Sequence, residues 1–226
     1  YYADARGVGL RIKSGPRENC RTCVVYLLRA FPEFFRKELA PDDFVMAGDV
    51  LSYGVEQEED LELARRLYAN AYKVSDLDKI SMDKKMYMQY RIGKVNYRLG
   101  EYGEAVKNFE PVMTIVGNRR REELRREKKP SGRGYREFDA GRFGRSEELD
   151  MRYLLARSYF RTGDSAAALA ASNDYISMAI NDARMLKALV FSGDIYLDRG
   201  EFEKAYQQYR RVIDWEGETT GNLGVF

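Results

Sequence analysis

A recurring pattern at three tight turns is the feature that most constrains how this chain can fold. Gly100, Gly163 and Gly200 are each followed directly by an acidic residue. A glycine relieves the strain of ending one helix, and an acidic side chain favours the amino end of the next helix. The pattern therefore predicts short amphipathic helices that are joined in pairs by tight turns.

The segments on both sides of these turns share one register. A small residue recurs at an equivalent position in each first helix, as Gly48, Gly93, Ala156 and Gly193. An alanine recurs in each second helix, as Ala64, Ala105, Ala168 and Ala205, followed four residues later by Tyr68, Phe109, Ser172 and Tyr209. Small residues let two helix backbones approach closely, and an aromatic ring would fill the gap against the neighbouring hairpin.

The predicted fold class is all-α, a right-handed superhelical stack of four helix-turn-helix hairpins. The predicted helices are 42–53 and 60–74, 83–99 and 102–116, 147–162 and 165–180, and 183–199 and 202–215. The expected organisation is an N-terminal arm and helical segment at 1–40, repeats one and two at 41–116, a basic inserted connector at 117–146, repeats three and four at 147–216, and a tail at 217–226.

These hairpins resemble the tetratricopeptide repeat, a family of α-solenoids. The second hairpin matches the family's signature at Ile92, Gly93, Gly100, Tyr102, Ala105 and Phe109, and the fourth at Gly193, Tyr196, Gly200, Phe202, Ala205 and Tyr209. The third departs by having Ser172 in place of the aromatic residue, and the turn of the first is about four residues longer. The resemblance covers about 170 residues. It implies a scaffold whose first helices line a concave groove that binds a protein partner.

Mapping that groove onto this sequence gives the candidate partner-binding residues. They are Tyr90, Lys94, Tyr97 and Arg98 on the second hairpin, beside Tyr87, and Tyr153, Arg157 and Arg161 on the third, beside Phe160. Such an aromatic and cationic wall holds a peptide by stacking, cation–π contact and pairing of arginine with carboxylates. Asp49, Asp194 and Asp198 would make the groove ends acidic, so the expected ligand is a peptide of mixed charge that is acidic near its middle. The alternative is that the wall is solvated or covered by the N-terminal arm.

A basic insertion interrupts the repeat spacing, because Ala105 and Ala168 are 63 residues apart. Between Arg119 and Arg145 there are 11 Lys and Arg against 5 Asp and Glu, or 11 − 5 = +6. Its candidate binding residues are Arg119, Arg120, Arg121, Arg125, Arg126, Lys128 and Lys129. Up to Lys129 the composition is compatible with a continuation of the preceding helix. The alternatives for its role are a solvated connector, a protein-docking element, and an RNA, single-strand or anionic-lipid contact.

The composition argues against an enzyme, a cofactor and a metal site. The chain has no histidine, which removes the commonest general base and the commonest metal ligand. Cys20 and Cys23 form a C-x-x-C pair, but a zinc site would need two further ligands. The pair is therefore interpreted as buried small side chains, with a disulfide in an exported protein or a reactive pair as alternatives.

The expected partner is a protein or peptide, with a homo-oligomer or larger assembly as a further alternative and nucleic acid less favoured. The longest apolar run, 23–28, is far shorter than the roughly 20 residues that span a bilayer, so no transmembrane segment is expected. A start at Tyr1 rather than Met, the tyrosine-rich composition and the C-x-x-C pair slightly favour a bacterial periplasm or envelope over the cytoplasm.

Overall fold

The computed structural model describes residues 41–52, 57–74, 81–126, 143–179 and 183–215. These residues form eight helices and contain no strand. The helices are α1 (Pro41–Ser52), α2 (Glu58–Val74), α3 (Met82–Arg98), α4 (Tyr102–Arg126), α5 (Arg145–Arg161), α6 (Ser165–Met178), α7 (Arg184–Asp198) and α8 (Phe202–Ile213). The predicted all-α fold of helix-turn-helix hairpins is confirmed.

Seven of these helices begin and end within two residues of the predicted bounds. The exception is α4, which continues to Arg126 instead of ending at 116. Arginine, glutamate and leucine are good helix formers, and the segment after 117 consists largely of them up to Arg126. The first part of the basic insertion is therefore helical, as its composition allows.

The three turn glycines adopt the left-handed conformation that the pattern predicts. The φ angles of Gly100, Gly163 and Gly200 are 80°, 88° and 72°. The N–H of the following acidic residue donates to a carbonyl five residues back in each turn, over 2.8–2.9 Å. A Cβ atom at any of these glycines would meet nothing within 4 Å, so the requirement for glycine comes from the backbone angle and not from packing.

The described helices divide into two compact units. The first contains the chain up to Glu101 together with Glu110–Phe143, and the second contains Tyr102–Phe109 together with the chain from Gly144. In the first unit, α2 packs on both α1 and α3. One apolar cluster joins these three helices and contains Phe44, Leu51, Leu61, Tyr68, Met88 and Val95.

In the second unit, α5 packs on α6, α6 on α7, and α7 on α8. Two apolar clusters lie between these helices. One contains Leu149, Tyr175 and Leu189, and the other contains Ala156, Leu169 and Ile195. None of the helices in the described ranges is both long and apolar enough to cross a bilayer.

The small residues make room for a ring inside their own hairpin. A Cβ atom added at Gly48 would lie 2.8 Å from the ring of Tyr68, and one at Gly193 would lie 2.5 Å from the ring of Tyr209. The predicted close approach is therefore present in these two hairpins, although each ring packs within its hairpin and not solely against the neighbour. In the third hairpin Ser172 replaces the ring and hydrogen-bonds Ser192 over 2.7 Å.

Candidate partner-binding surfaces

The α3 surface in the first unit is partly covered by the chain itself. The sequence places Tyr90 on an open wall, yet it is 3% exposed. Its ring packs edge-on against Phe143, with centroids 6.0 Å apart, and Lys94 Nζ donates to its hydroxyl over 3.2 Å. The expected exposure of Tyr90 is therefore corrected: an aromatic side chain from the end of the basic insertion lies against it.

The other two candidates on α3 are half-buried. Arg98 donates through Nη1 to the backbone carbonyl of Ser52, at the last residue of α1. A cation at the carboxyl end of a helix stabilises its unpaired carbonyls. Arg98 therefore joins α3 to α1, and Tyr97 lies one residue before it on the same helix.

A polar network between α1, α2 and α3 contains residues that the sequence did not single out. The Tyr68 hydroxyl donates to Asp49 Oδ1 over 2.6 Å, and the Tyr87 hydroxyl donates to Asp49 Oδ2 over 2.9 Å. Arg91 forms an ion pair with Asp49 over 2.5 Å and donates through Nε to the Tyr68 hydroxyl over 3.0 Å. Asp49 therefore holds three helices together instead of making a groove end acidic, which corrects that expectation.

The charges in this network are stabilised by one another. Burial raises the pKa of Tyr68 well above its usual value, and the Asp49 carboxylate adds to that effect while Arg91 opposes it. Burial disfavours the charge on Arg91, but Tyr68, Asp49 and Tyr87 outweigh it and raise the pKa of the guanidinium. Arg91 is consequently held as a cation beside the Asp49 carboxylate. The repeated Gly-Asp dipeptide at Gly48 and Gly193 was the sequence signal that could have revealed this arrangement.

The α5 surface in the second unit presents its cations outward. The Arg157 guanidinium lies 5.8 Å from the centroid of the Tyr153 ring, and exposed Arg161 lies 5.8 Å from that of Tyr102. Tyr153 in turn packs on Tyr175 and Phe191, with ring centroids 5.7 and 6.2 Å away. The Tyr153 ring is therefore held by the core of the unit, and it positions the Arg157 guanidinium.

A third arginine on α5, Arg152, is buried and forms ion pairs within the unit. Arg152 is 5% exposed and pairs with Glu148 over 2.8 Å and with Asp174 over 3.5 Å. Within the described ranges, Arg157 and Arg161 have no such carboxylate partner. A guanidinium that rests on a ring keeps its N–H donors available for carboxylates.

Part of the basic segment lies within the residues that the structure describes, and part lies outside them. Arg119 pairs with Asp83 over 2.5 Å within the first unit. The remaining helical members belong to the last turns of α4 and are Arg120, Arg121, Arg125 and Arg126. Lys128 and Lys129 lie outside the described residues, as do Cys20 and Cys23. The ion pair of Arg119 gives no support to a nucleic-acid contact at that position. No group of three or more possible metal ligands occurs in the described part of the chain.

The paired helices, left-handed turn glycines and ring-on-glycine contacts define a protein built from helical repeats. The resemblance to the tetratricopeptide-repeat family is confirmed, because the family model named tetratricopeptide repeat matches residues 186–219, which include α8 and all but the first two residues of α7. No curated protein sequence matches the chain significantly.

Solved structures share this fold at low sequence identity. MamA from Desulfovibrio magneticus RS-1 is 14% identical with a TM-score of 0.55, covering 89% of this chain and 96% of that one. The nearly identical tetratricopeptide-like repeats of a Podosopora anserina kinesin light chain are 13% identical with a TM-score of 0.57, covering 91% and 90%. PlcR from Bacillus thuringiensis, solved with the peptide PapR7 and DNA, is 14% identical with a TM-score of 0.51, covering 91% and 72%. At these identities the likeness establishes the fold alone.

Proposed function

We propose that the chain is a non-enzymatic scaffold that binds a protein partner through the first helices of its hairpins and helps to assemble a multiprotein complex. Solenoids of stacked helical pairs present extended surfaces that suit this role. The observation that carries the proposal is the pair Arg157 and Arg161 on α5. Each guanidinium lies near an aromatic ring, and the ring beside Arg157, that of Tyr153, packs in the core of the second unit.

The favoured ligand is a peptide segment that carries carboxylates. Arg157 and Arg161 are four residues apart on one helix, so their side chains lie on the same face about one turn from each other. Two carboxylates at a matching separation would each accept hydrogen bonds from one guanidinium. PlcR, whose fold is similar, was solved in complex with the peptide PapR7, and this supports the choice of a peptide ligand.

Two further features support a scaffold over an enzyme. The chain has no histidine to serve as a general base near neutral pH. Tyr68 and Arg91, whose pKa values are strongly shifted, bond to each other over 3.0 Å inside the first unit. Their shifts therefore arise from an internal network that holds helices together. We further propose a bacterial envelope as the compartment, on composition alone, and fractionation of expressing cells would test that assignment.

The test is charge reversal on α5. Arg157→Glu with Arg161→Glu is expected to lower the affinity for an acidic partner at least tenfold, because two attractive contacts become repulsive. Affinity capture with mass spectrometry would compare the wild type with this variant, and each protein lost from the variant would be purified and titrated directly.

The matched control reverses two exposed lysines on second helices, Lys73→Glu with Lys107→Glu, and changes the net charge by the same amount. Captured proteins should be retained by this control and lost from the α5 variant. Equal retention by both variants, with unchanged circular dichroism, would refute α5 as the binding surface. Equal loss from both would indicate non-specific attraction by charge and would count against the proposal as well.

A further inference from the structure

The last hairpin carries an apolar surface, here called the terminal face, that no described helix covers. Its members are large apolar side chains with 40–82% of their surface exposed: Val190 and Leu197 on α7, and Phe202, Tyr206 and Ile213 on α8. On α7, Val190 and Leu197 are seven residues apart. On α8, Phe202 and Tyr206 are four residues apart, and Ile213 follows seven residues later. These spacings place the members of each helix on one side of it. Exposed apolar patches of this kind mark interaction sites in soluble proteins.

The first hairpin shows what the same positions look like when they are covered. Val45 is the repeat equivalent of Val190, and it is 9% exposed against 40%. Leu61 is the equivalent of Phe202, and it is 3% exposed against 68%. The two hairpins therefore share these two apolar positions, and they differ in whether a further element lies on them.

The covering element in the first hairpin is a helix. Helix α3 packs on α2, and Met88 and Val95 of α3 belong to the same apolar cluster as Val45 and Leu61. The occupant that fits the terminal face is by this comparison another amphipathic helix.

A polar pair repeats together with the apolar pattern. The Tyr68 hydroxyl donates to Asp49 Oδ1 over 2.6 Å, and the Tyr209 hydroxyl donates to Asp194 Oδ1 over 2.7 Å. Each tyrosine ring rests on the glycine that precedes its aspartate partner. The fourth hairpin thus repeats the tyrosine–aspartate hydrogen bond and the ring-on-glycine contact of the first.

The two sites differ in what completes them. In the first hairpin, Arg91 and Tyr87 of the covering helix both bond Asp49. In the fourth, Asp194 is exposed. Burial and the hydrogen bond to Asp194 raise the pKa of Tyr209 to about 12, so the tyrosine hydroxyl stays a neutral donor to that carboxylate near pH 7. An anion at the centre of an apolar face favours a cationic partner with its own apolar surroundings.

We propose that the terminal face binds a helix of a partner protein that presents an arginine and a tyrosine one turn apart among apolar side chains. The arginine pairs with Asp194, the tyrosine hydroxyl donates to the same carboxylate, and the apolar side chains cover Phe202 and Leu197. This surface is separate from Arg157 and Arg161, so the proposal stands independently of the α5 surface.

The probe is a synthetic peptide with the sequence of residues 82–98, because α3 is the helix that covers the equivalent site. The full chain contains a single tryptophan, Trp215, which lies two residues beyond α8. The peptide has none, so tryptophan fluorescence reports binding near the terminal face. We expect saturable binding with a dissociation constant of about 10–100 μM, since a 17-residue peptide must become helical on binding.

Two substitutions test the polar contact from both sides. Asp194→Asn in the chain and Arg91→Gln in the peptide should each weaken binding about tenfold, and together they should weaken it little further, because both remove one ion pair. Leu197→Asp should abolish binding through the apolar part of the face. Glu203→Gln on α8 is the matched control for loss of one carboxylate and should leave binding unchanged. Arg157→Glu with Arg161→Glu should also bind the peptide like the wild type, which separates this proposal from the function proposed above.

Three results would overturn the proposal. One is the absence of a saturable change with the wild-type chain. Another is binding that survives both Asp194→Asn and Leu197→Asp. The third is sedimentation showing that the chain self-associates, that Leu197→Asp makes it monomeric, and that the peptide does not compete, because the occupant would then be a second copy of this chain.

Discussion

At Gly48 the backbone of α1 lies so close to the ring of Tyr68 that a methyl group has no room. The ring cannot move aside, because it is fully buried and its hydroxyl is bonded to Asp49 and Arg91. At Gly193 the corresponding ring of Tyr209 is half-exposed and can shift outward. The same small residue therefore has a stricter role in the first hairpin than in the fourth.

Gly48→Ala is accordingly expected to lower the free energy of unfolding by about 1–2 kcal/mol, because overpacking at a fixed ring outweighs the better helix propensity of alanine. Gly193→Ala should cost less, since Tyr209 can move. Gly103→Ala is the control: a Cβ there meets nothing within 4 Å, so a gain of a few tenths to about 1 kcal/mol is expected. Urea unfolding of the three variants measures this order, and a Gly48→Ala variant as stable as Gly103→Ala would contradict it.

At the scale of the element, α3 joins the first hairpin through apolar and polar side chains at once. Met88 and Val95 enter the apolar cluster, and Arg91 reaches across to Asp49 and Tyr68. The side chains of this ion pair are 16% and 31% exposed, so the pair is more protected from solvent than a surface pair. Removing one member leaves the other partly buried without its counter-ion. This lowers the free energy of unfolding by more than the intact pair contributes to it.

Arg91→Gln should therefore reduce the free energy of unfolding by about 2 kcal/mol. The double variant with Asp49→Asn should lose less than the sum of the two single variants by about 1 kcal/mol, because both remove one interaction. Lys84→Gln is the matched control, since Lys84 pairs with Asp42 over 2.8 Å at the surface and is worth at most about 0.5 kcal/mol. If Arg91→Gln costs no more than Lys84→Gln, the network does not stabilise the unit.

Across the whole molecule, the repeat register predicted the helices more closely than the surfaces they form. The turn glycines follow from local backbone sterics, which a short stretch of sequence contains in full. The repeat register places Asp49 at a groove end. It could not reveal the three partners of Asp49, because they are 19, 38 and 42 residues away on two other helices. The cover over Tyr90 likewise comes from Phe143, more than fifty residues later, and no local pattern connects them.

The alpha-helical extension of α4 shows the opposite case, in which composition sufficed. Helix propensity is sufficient to predict that it continues, and it extends to Arg126. Composition could not show which basic side chains form ion pairs inside the protein. Arg152, Arg157 and Arg161 have the same side chain on one helix, and Arg152 differs from the other two in its burial and in its pairing with Glu148 and Asp174.

The buried Tyr68 of the first unit limits the stability of the folded chain at alkaline pH. Tyr68 has a pKa well above its usual value in the folded chain, chiefly because burial disfavours its ionised form. A folded pKa above the unfolded one means that the folded state holds the proton more tightly. Its contribution to stability is therefore complete below the unfolded pKa of about 10, and it is lost as the pH rises from there toward the folded pKa.

We expect the unfolding midpoint in urea to fall steadily above about pH 10, and Tyr68→Phe to make that fall shallower while lowering stability at pH 7 through loss of the bond to Asp49. Tyr206→Phe is the control, because Tyr206 is 57% exposed and lies outside the network around Asp49. Titration of tyrosinate absorbance in the folded chain should show Tyr68 ionising last, together with unfolding. An alkaline slope unchanged by Tyr68→Phe would mean that other groups, and not the network around Asp49, set the limit.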